Sequence, residues 1–189
     1  MRTQQSFARL LWALLFSLSL TGAPGIAQAQ TEENEPAISF DLLSNLTYHS
    51  EYSAQGQVTL ENGQYEEDDP AVDGDGLLVT LTGYVAYGDL NGDDVEDAAV
   101  VLESNTAGTG VFYELAVVTD EAGMLANVAS ILLGDRVDIN DVAIVDEQIV
   151  VALLTQGPDD AQCCPTLAVE DIFALEDGIL VLVEEEALL

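Results

Sequence analysis

The chain has 189 residues, of which 35 are Asp or Glu and three are Lys or Arg, giving a formal net charge of −32. Such a surface repels phosphate backbones and anionic lipids, which argues against nucleic acid and membrane partners and for cations: calcium, magnesium or a basic protein. Hydrophobic residues still make up 49%, enough for a sizeable core in one domain.

Residues 1–29 read as a secretory signal peptide. Arg2 and Arg9 supply the basic start, Leu10 to Leu20 an apolar run too short to span a bilayer, and Ala27-Gln28-Ala29 the small residues of a cleavage site. An uncleaved membrane anchor is the competing reading. No cysteine follows the cleavage site, so no lipid anchor is expected, and no later stretch is long and apolar enough for a membrane span. The protein is expected to be exported, periplasmic or extracellular. Once the segment is removed, Arg136 is the only Lys or Arg left. The acids spread over nearly every loop, which fits a surface adapted to high salt; attraction of a cationic partner is the alternative.

Residues 30–37 (QTEENEPA) form a polar leader expected to be disordered. From 38 to 189 the pattern predicts a single all-β domain, an antiparallel meander closed or curled into a barrel-like or sandwich form. The segment 38–46 fits a short helix or a strand. Asn62-Gly63 is a hairpin signal, since both central residues of that turn need positive φ. Residues 66–76, rich in acids, Pro and Gly, read as a loop, with a second weak cation site as a lesser possibility. In 77–87, Leu77, Val79, Leu81, Val85 and Tyr87 share one face. Residues 97–104 are apolar on both faces and predict a central strand. Three hairpins follow, 111–133, 142–155 and 166–185, each with a tight acidic turn. The closing EEEALL is expected to fray.

GDLNGDDVEDAAV (88–100) concentrates the chemistry. With Asp89 as position 1, Asn91, Asp93, Val95 and Asp97 fall at positions 3, 5, 7 and 9. Alternate residues of a tight loop aim oxygens inward, and position 7 offers its backbone carbonyl, so the spacing suits a hard cation such as Ca2+. Gly92 eases the turn. An EF-hand needs an acid at position 12, where this chain has Val100. The other reading is an acidic hairpin loop whose Asp side chains cap their own backbone.

The loop resembles the DxNGDGxxD calcium loops of FG-GAP and integrin-type propeller repeats, matching at Asp89, Asn91, Gly92, Asp93 and Asp97 and departing at Asp94, where those loops have glycine. It occurs once, so the resemblance implies a calcium loop between two strands and no propeller. YGDLNGDDVEDAAVVL (87–102), TGVFYELAVV (109–118), LGDRV (133–137) and CCPT (163–166) also resemble a group of uncharacterised secreted bacterial proteins, which implies a single exported domain and no mechanism.

Cys163 and Cys164 are the only cysteines. In an oxidising compartment a vicinal disulfide, cross-links to another chain and free thiols are all open. Arg136, among so many acids, is expected to pair with a carboxylate, with a catalytic or ligand-clamping role as the alternative. His49 reads as a solvated loop residue, and no catalytic motif stands out. The sequence therefore supports a non-enzymatic, calcium-stabilised export module with a binding or structural role in the envelope or secreted fraction. The alternative is an acidic inhibitor or carrier for a basic protein; oligomeric state is left open.

Overall fold

Ser39 opens the only helix among the described residues, a single turn α1 (Phe40–Leu43), by accepting the Leu42 N–H on its hydroxyl at 3.3 Å. Ser44 Oγ and Asn45 Nδ2 donate to the Phe40 and Asp41 carbonyls, each at 2.8 Å, and so end it. These coordinates belong to a computed structural model that describes residues 38–68, 76–120 and 123–188. Residues 1–29, read above as a signal peptide, residues 30–37, read as a leader, and most of the acidic stretch 66–76 lie outside the described residues. Asn34–Leu189 forms one compact unit.

The helix joins a small hairpin, β1 (Thr47–His49) with β2 (Gln57–Thr59), whose inward pair Tyr48 and Val58 is fully buried. Asn62 and Gly63 take φ of 54° and 83°, so the expected turn forms. The strands it joins nevertheless part company after one bridge, Glu61 with Gln64. β2 stays with β1, while β3 (Gln64–Asp68) begins a five-stranded antiparallel sheet.

That sheet runs β3, β4 (Gly76–Gly88), β5 (Asp97–Asn105), β6 (Val111–Asp120) and β7 (Leu125–Asp135). Along β4, Leu77, Val79 and Leu81 are buried on one face, and Val85 and Tyr87 join the same cluster beyond a bulge, as the alternation predicts. β5 is buried on both faces. Ala98, Val100 and Leu102 meet α1 and the small hairpin, whereas Ala99 and Val101 meet the second sheet. Burial on both sides is why 97–102 carries no alternation.

The second sheet has the order β8 (Asp138–Val145), β9 (Gln148–Thr155), β10 (Leu167–Glu176) and β11 (Ile179–Ala187). Its inner residues Ile149, Val151, Leu153 and Phe173 share one core with Leu115 and Val117 of the first sheet. The three predicted hairpins are present, but no sheet among the described residues closes into a barrel. From β3 onward the meander breaks once, between β7 and β8. There Arg136 adopts φ 53° and its N–H donates to Val111 O at 2.6 Å, which turns the chain from one sheet to the other. The edges therefore remain, and bulges interrupt the ladders beside β7, β8 and β11. The C-terminal EEE does not fray: Glu184, Glu185 and Glu186 pair with Ile172, Asp171 and Glu170.

Candidate functional site

The loop between β4 and β5 begins where Gly88 pairs with Asp97. A Cβ on Gly88 would stand 2.7 Å from Ile144 Cγ2, so glycine lets β4 press onto β8 at the mouth of the loop. The same approach brings the β8–β9 turn alongside, with Glu147 Oε1 3.8 Å from where a Gly92 Cβ would stand.

Within the loop, carboxylates organise the backbone. Asp89 Oδ1 accepts the N–H groups of Asn91 (3.2 Å), Gly92 (2.7 Å) and Asp93 (3.3 Å), and Oδ2 accepts that of Asp94 (2.9 Å). Asn91 Oδ1 accepts from Asp93 N–H (3.0 Å) and Asp93 Oδ1 from Val95 N–H (2.8 Å). Gly92 and Asp94 sit at φ 77° and 63°, so aspartate takes the left-handed position where the FG-GAP loops have glycine. Partial desolvation works against the Asp89 carboxylate, but the four N–H groups outweigh it and hold its pKa below the ordinary aspartate value.

Asp97 differs. It stands on the same face of β5 as Ala99 and Val101, at the end of the core between the sheets, and is fully buried. Oδ2 accepts the Leu90 N–H at 3.0 Å, while Oδ1 has no donor at hydrogen-bonding distance and angle among the described residues. Burial raises its pKa. The Leu90 and Asp120 N–H groups oppose that rise, and the nearby Asp93 and Asp89 charges add to it. Glu96 Oε1 is a second buried oxygen without a partner. The structure thus gathers Asp89, Asn91, Asp93, Val95 and Asp97 into one loop. It does not draw three or more His, Cys, Asp or Glu side chains to a common point among the described residues, because Asp89, Asn91 and Asp93 are turned onto the loop's own N–H groups.

Cys163 and Cys164 are bonded to one another in the β9–β10 loop, far along the chain from this site. Arg136 ties that loop down. Its Nε donates to Thr109 O (2.9 Å), Nη1 to Gln162 O (3.0 Å), and Nη2 lies 3.2 Å from Asp135 Oδ2. His49 is exposed, and Ser50 beside it donates to Glu114 Oε2 at 2.8 Å.

Two buried carboxylates escape a reading by motif. Glu114 accepts from Ser50, Ser104 Oγ (3.3 Å) and Glu51 N–H (3.2 Å), yet burial still raises its pKa. Asp171 faces the inter-sheet core with Oδ1 unpartnered, and burial, then Glu185, raise its pKa. The available signal was positional: each acid occupies the inward register of an otherwise apolar strand face.

No protein-family model, curated protein or solved structure matches the chain. No described helix is long and apolar enough to cross a membrane.

Proposed function

We propose that this protein is an exported, non-catalytic β-sandwich module stabilised by one calcium ion at the β4–β5 loop, with a binding or structural role in the envelope or secreted fraction. The observation that carries the reading is Asp97. A fully buried carboxylate oxygen without a partner, beside the Asp89 and Asp93 charges, is an arrangement that a divalent cation would neutralise. In this reading Asp89, Asn91, Asp93 and Asp97 contribute side-chain oxygens and Val95 its carbonyl. Capping bonds to N–H groups leave lone pairs on each carboxylate for the ion. The ion would relieve repulsion within the loop and add stability by mass action.

The test is thermal unfolding followed by tyrosine signal, with calcium and with chelator, each at low and high sodium chloride. Calcium should raise the melting temperature in both salts, and Asp93→Ala should remove the rise. Equal melting with and without calcium, alongside strong stabilisation by sodium chloride, would return the loop to a self-capped acidic turn on a salt-adapted surface.

A further inference from the structure

The outer face of the four-stranded sheet is left bare by every described element. Its registers sort that face into bands running across the strands. Near the β8–β9 turn the band is apolar: Val145 of β8, Ala174 of β10 and Val181 of β11 flank Gln148, and Ala143, Val150 and Ile172 continue beside them. Val145 is 52% exposed and Val181 36%. The next band is acidic. Asp141 of β8, Glu170 of β10 and Glu186 of β11 line up around Ala152, with Glu184 adjoining opposite Ile172. Glu170 and Glu186 face each other directly across neighbouring strands, a like-charge pair that weakens a sheet unless a cation lies over it.

We infer that this face is a docking surface for a basic amphipathic polypeptide segment, its apolar side on the Val150–Ile172 band and its Lys or Arg side chains on the Glu170–Glu186 band. The inference is independent of calcium. Four strands at about 4.8 Å spacing give a platform about 15 Å across, wide enough for one helix or two added strands. Charge selects the occupant. A second copy would set Glu170, Glu184 and Glu186 against the same acids, and an anionic lipid surface would be repelled. An apolar patch with a unipolar acidic border fits a cationic amphipathic chain.

The probe is a synthetic leucine–lysine amphipathic peptide, titrated into the purified protein at moderate salt, with oligolysine as the charge-only control. Ile172→Asp makes the face more acidic and less apolar, so it separates the two modes. Docking on the apolar band requires it to weaken the amphipathic peptide by about tenfold. Val181→Asp, on the exposed edge strand, should act in the same direction and serves if the first variant unfolds. Glu170→Gln with Glu186→Gln should weaken binding and reduce its salt dependence, and hydrogen exchange should slow in β9 and β10 on binding. Three results would overturn the inference: oligolysine binding as tightly as the amphipathic peptide, unchanged or tighter binding by the Asp variants, or self-association through this face in sedimentation.

Discussion

The two ends of the sheets hold their loops by opposite means. At one end Arg136 reaches from the β7–β8 turn to the carbonyls of Thr109 and Gln162, and the Cys163–Cys164 bond and an Asp160 cap complete the β9–β10 loop. At the other, the β4–β5 loop and the β8–β9 and β10–β11 turns carry Asp89, Asp93, Asp94, Asp146, Glu147, Glu176 and Asp177, with no Lys or Arg. One guanidinium crosslinks two loops there and pairs with Asp135. The acidic end organises itself by folding carboxylates onto backbone N–H groups, and that strategy fails at Asp97, whose second oxygen faces the core. The contrast teaches where an external cation has something to do.

The largest effect should come from the self-sufficient end. Arg136→Ala removes two hydrogen bonds to loop carbonyls and an ion pair, so urea unfolding should show a loss of about 2 kcal/mol. Most of it comes from the hydrogen bonds, since the exposed ion pair alone is worth little. Arg136→Lys should recover only part, because an ammonium cannot span two carbonyls as the planar fork does. A loss equal to a generic surface substitution would break the comparison.

At the acidic end the sign should depend on calcium. In chelator, Asp97→Asn removes a buried charge at constant shape and should leave stability equal or higher, by about 1 kcal/mol at most. With calcium present the same variant should melt below wild type. Lower melting in both conditions would mean that Asp97 is satisfied by the protein alone.

Smaller effects depend on pH, with opposite signs at two carboxylates. Glu114, raised by burial, holds its proton more tightly folded than unfolded. Its contribution is fully present below the unfolded glutamate value and lost as pH rises through the folded one. Glu114→Gln should therefore flatten the fall in melting temperature as pH rises through that window. Asp160 has the opposite sign. Hydrogen bonds from Gly157 N–H and from Thr166 hold its pKa low, so its stabilisation is present above the unfolded aspartate value and lost as pH falls through the folded one. Protection factors at Gly157 and Thr166, taken against the intrinsic exchange rate at the same pH, should fall in acid, and should already be low at neutral pH in Asp160→Ala.

Much of the fold was legible because it depends on local rules. Positive φ at Asn62-Gly63 and Asp177-Gly178 follows from residue type, and the alternation of Leu77, Val79 and Leu81 follows from the pleat. The tail was misread because EEE is a poor strand sequence in isolation; its backbone pairs with β10 despite the charge. The division of one meander into two sheets was not legible either. The turn at Arg136 looks like any other polar turn, and only the bond to Val111 O and the packing of Val137 into the core set its direction.

The candidate loop divides in the same way. The spacing from Asp89 to Asp97 and the glycine at 92 were readable in the sequence, whereas the left-handed conformation of Asp94 appears in the structure. The loop spacing by itself does not distinguish Asp97 from Asp93, although Asp97 opens the apolar run of the predicted central strand. What separates them is that β5 is covered on both faces, so its first residue is buried between the sheets while Asp93 stays in water. The sequence by itself determined an all-β chain, its turns and the oxygen-rich loop, because backbone conformation and period-two burial are properties of neighbouring residues. Only the tertiary structure decided which carboxylate is desolvated and which sheet face is left bare, because burial depends on what packs from elsewhere in the chain.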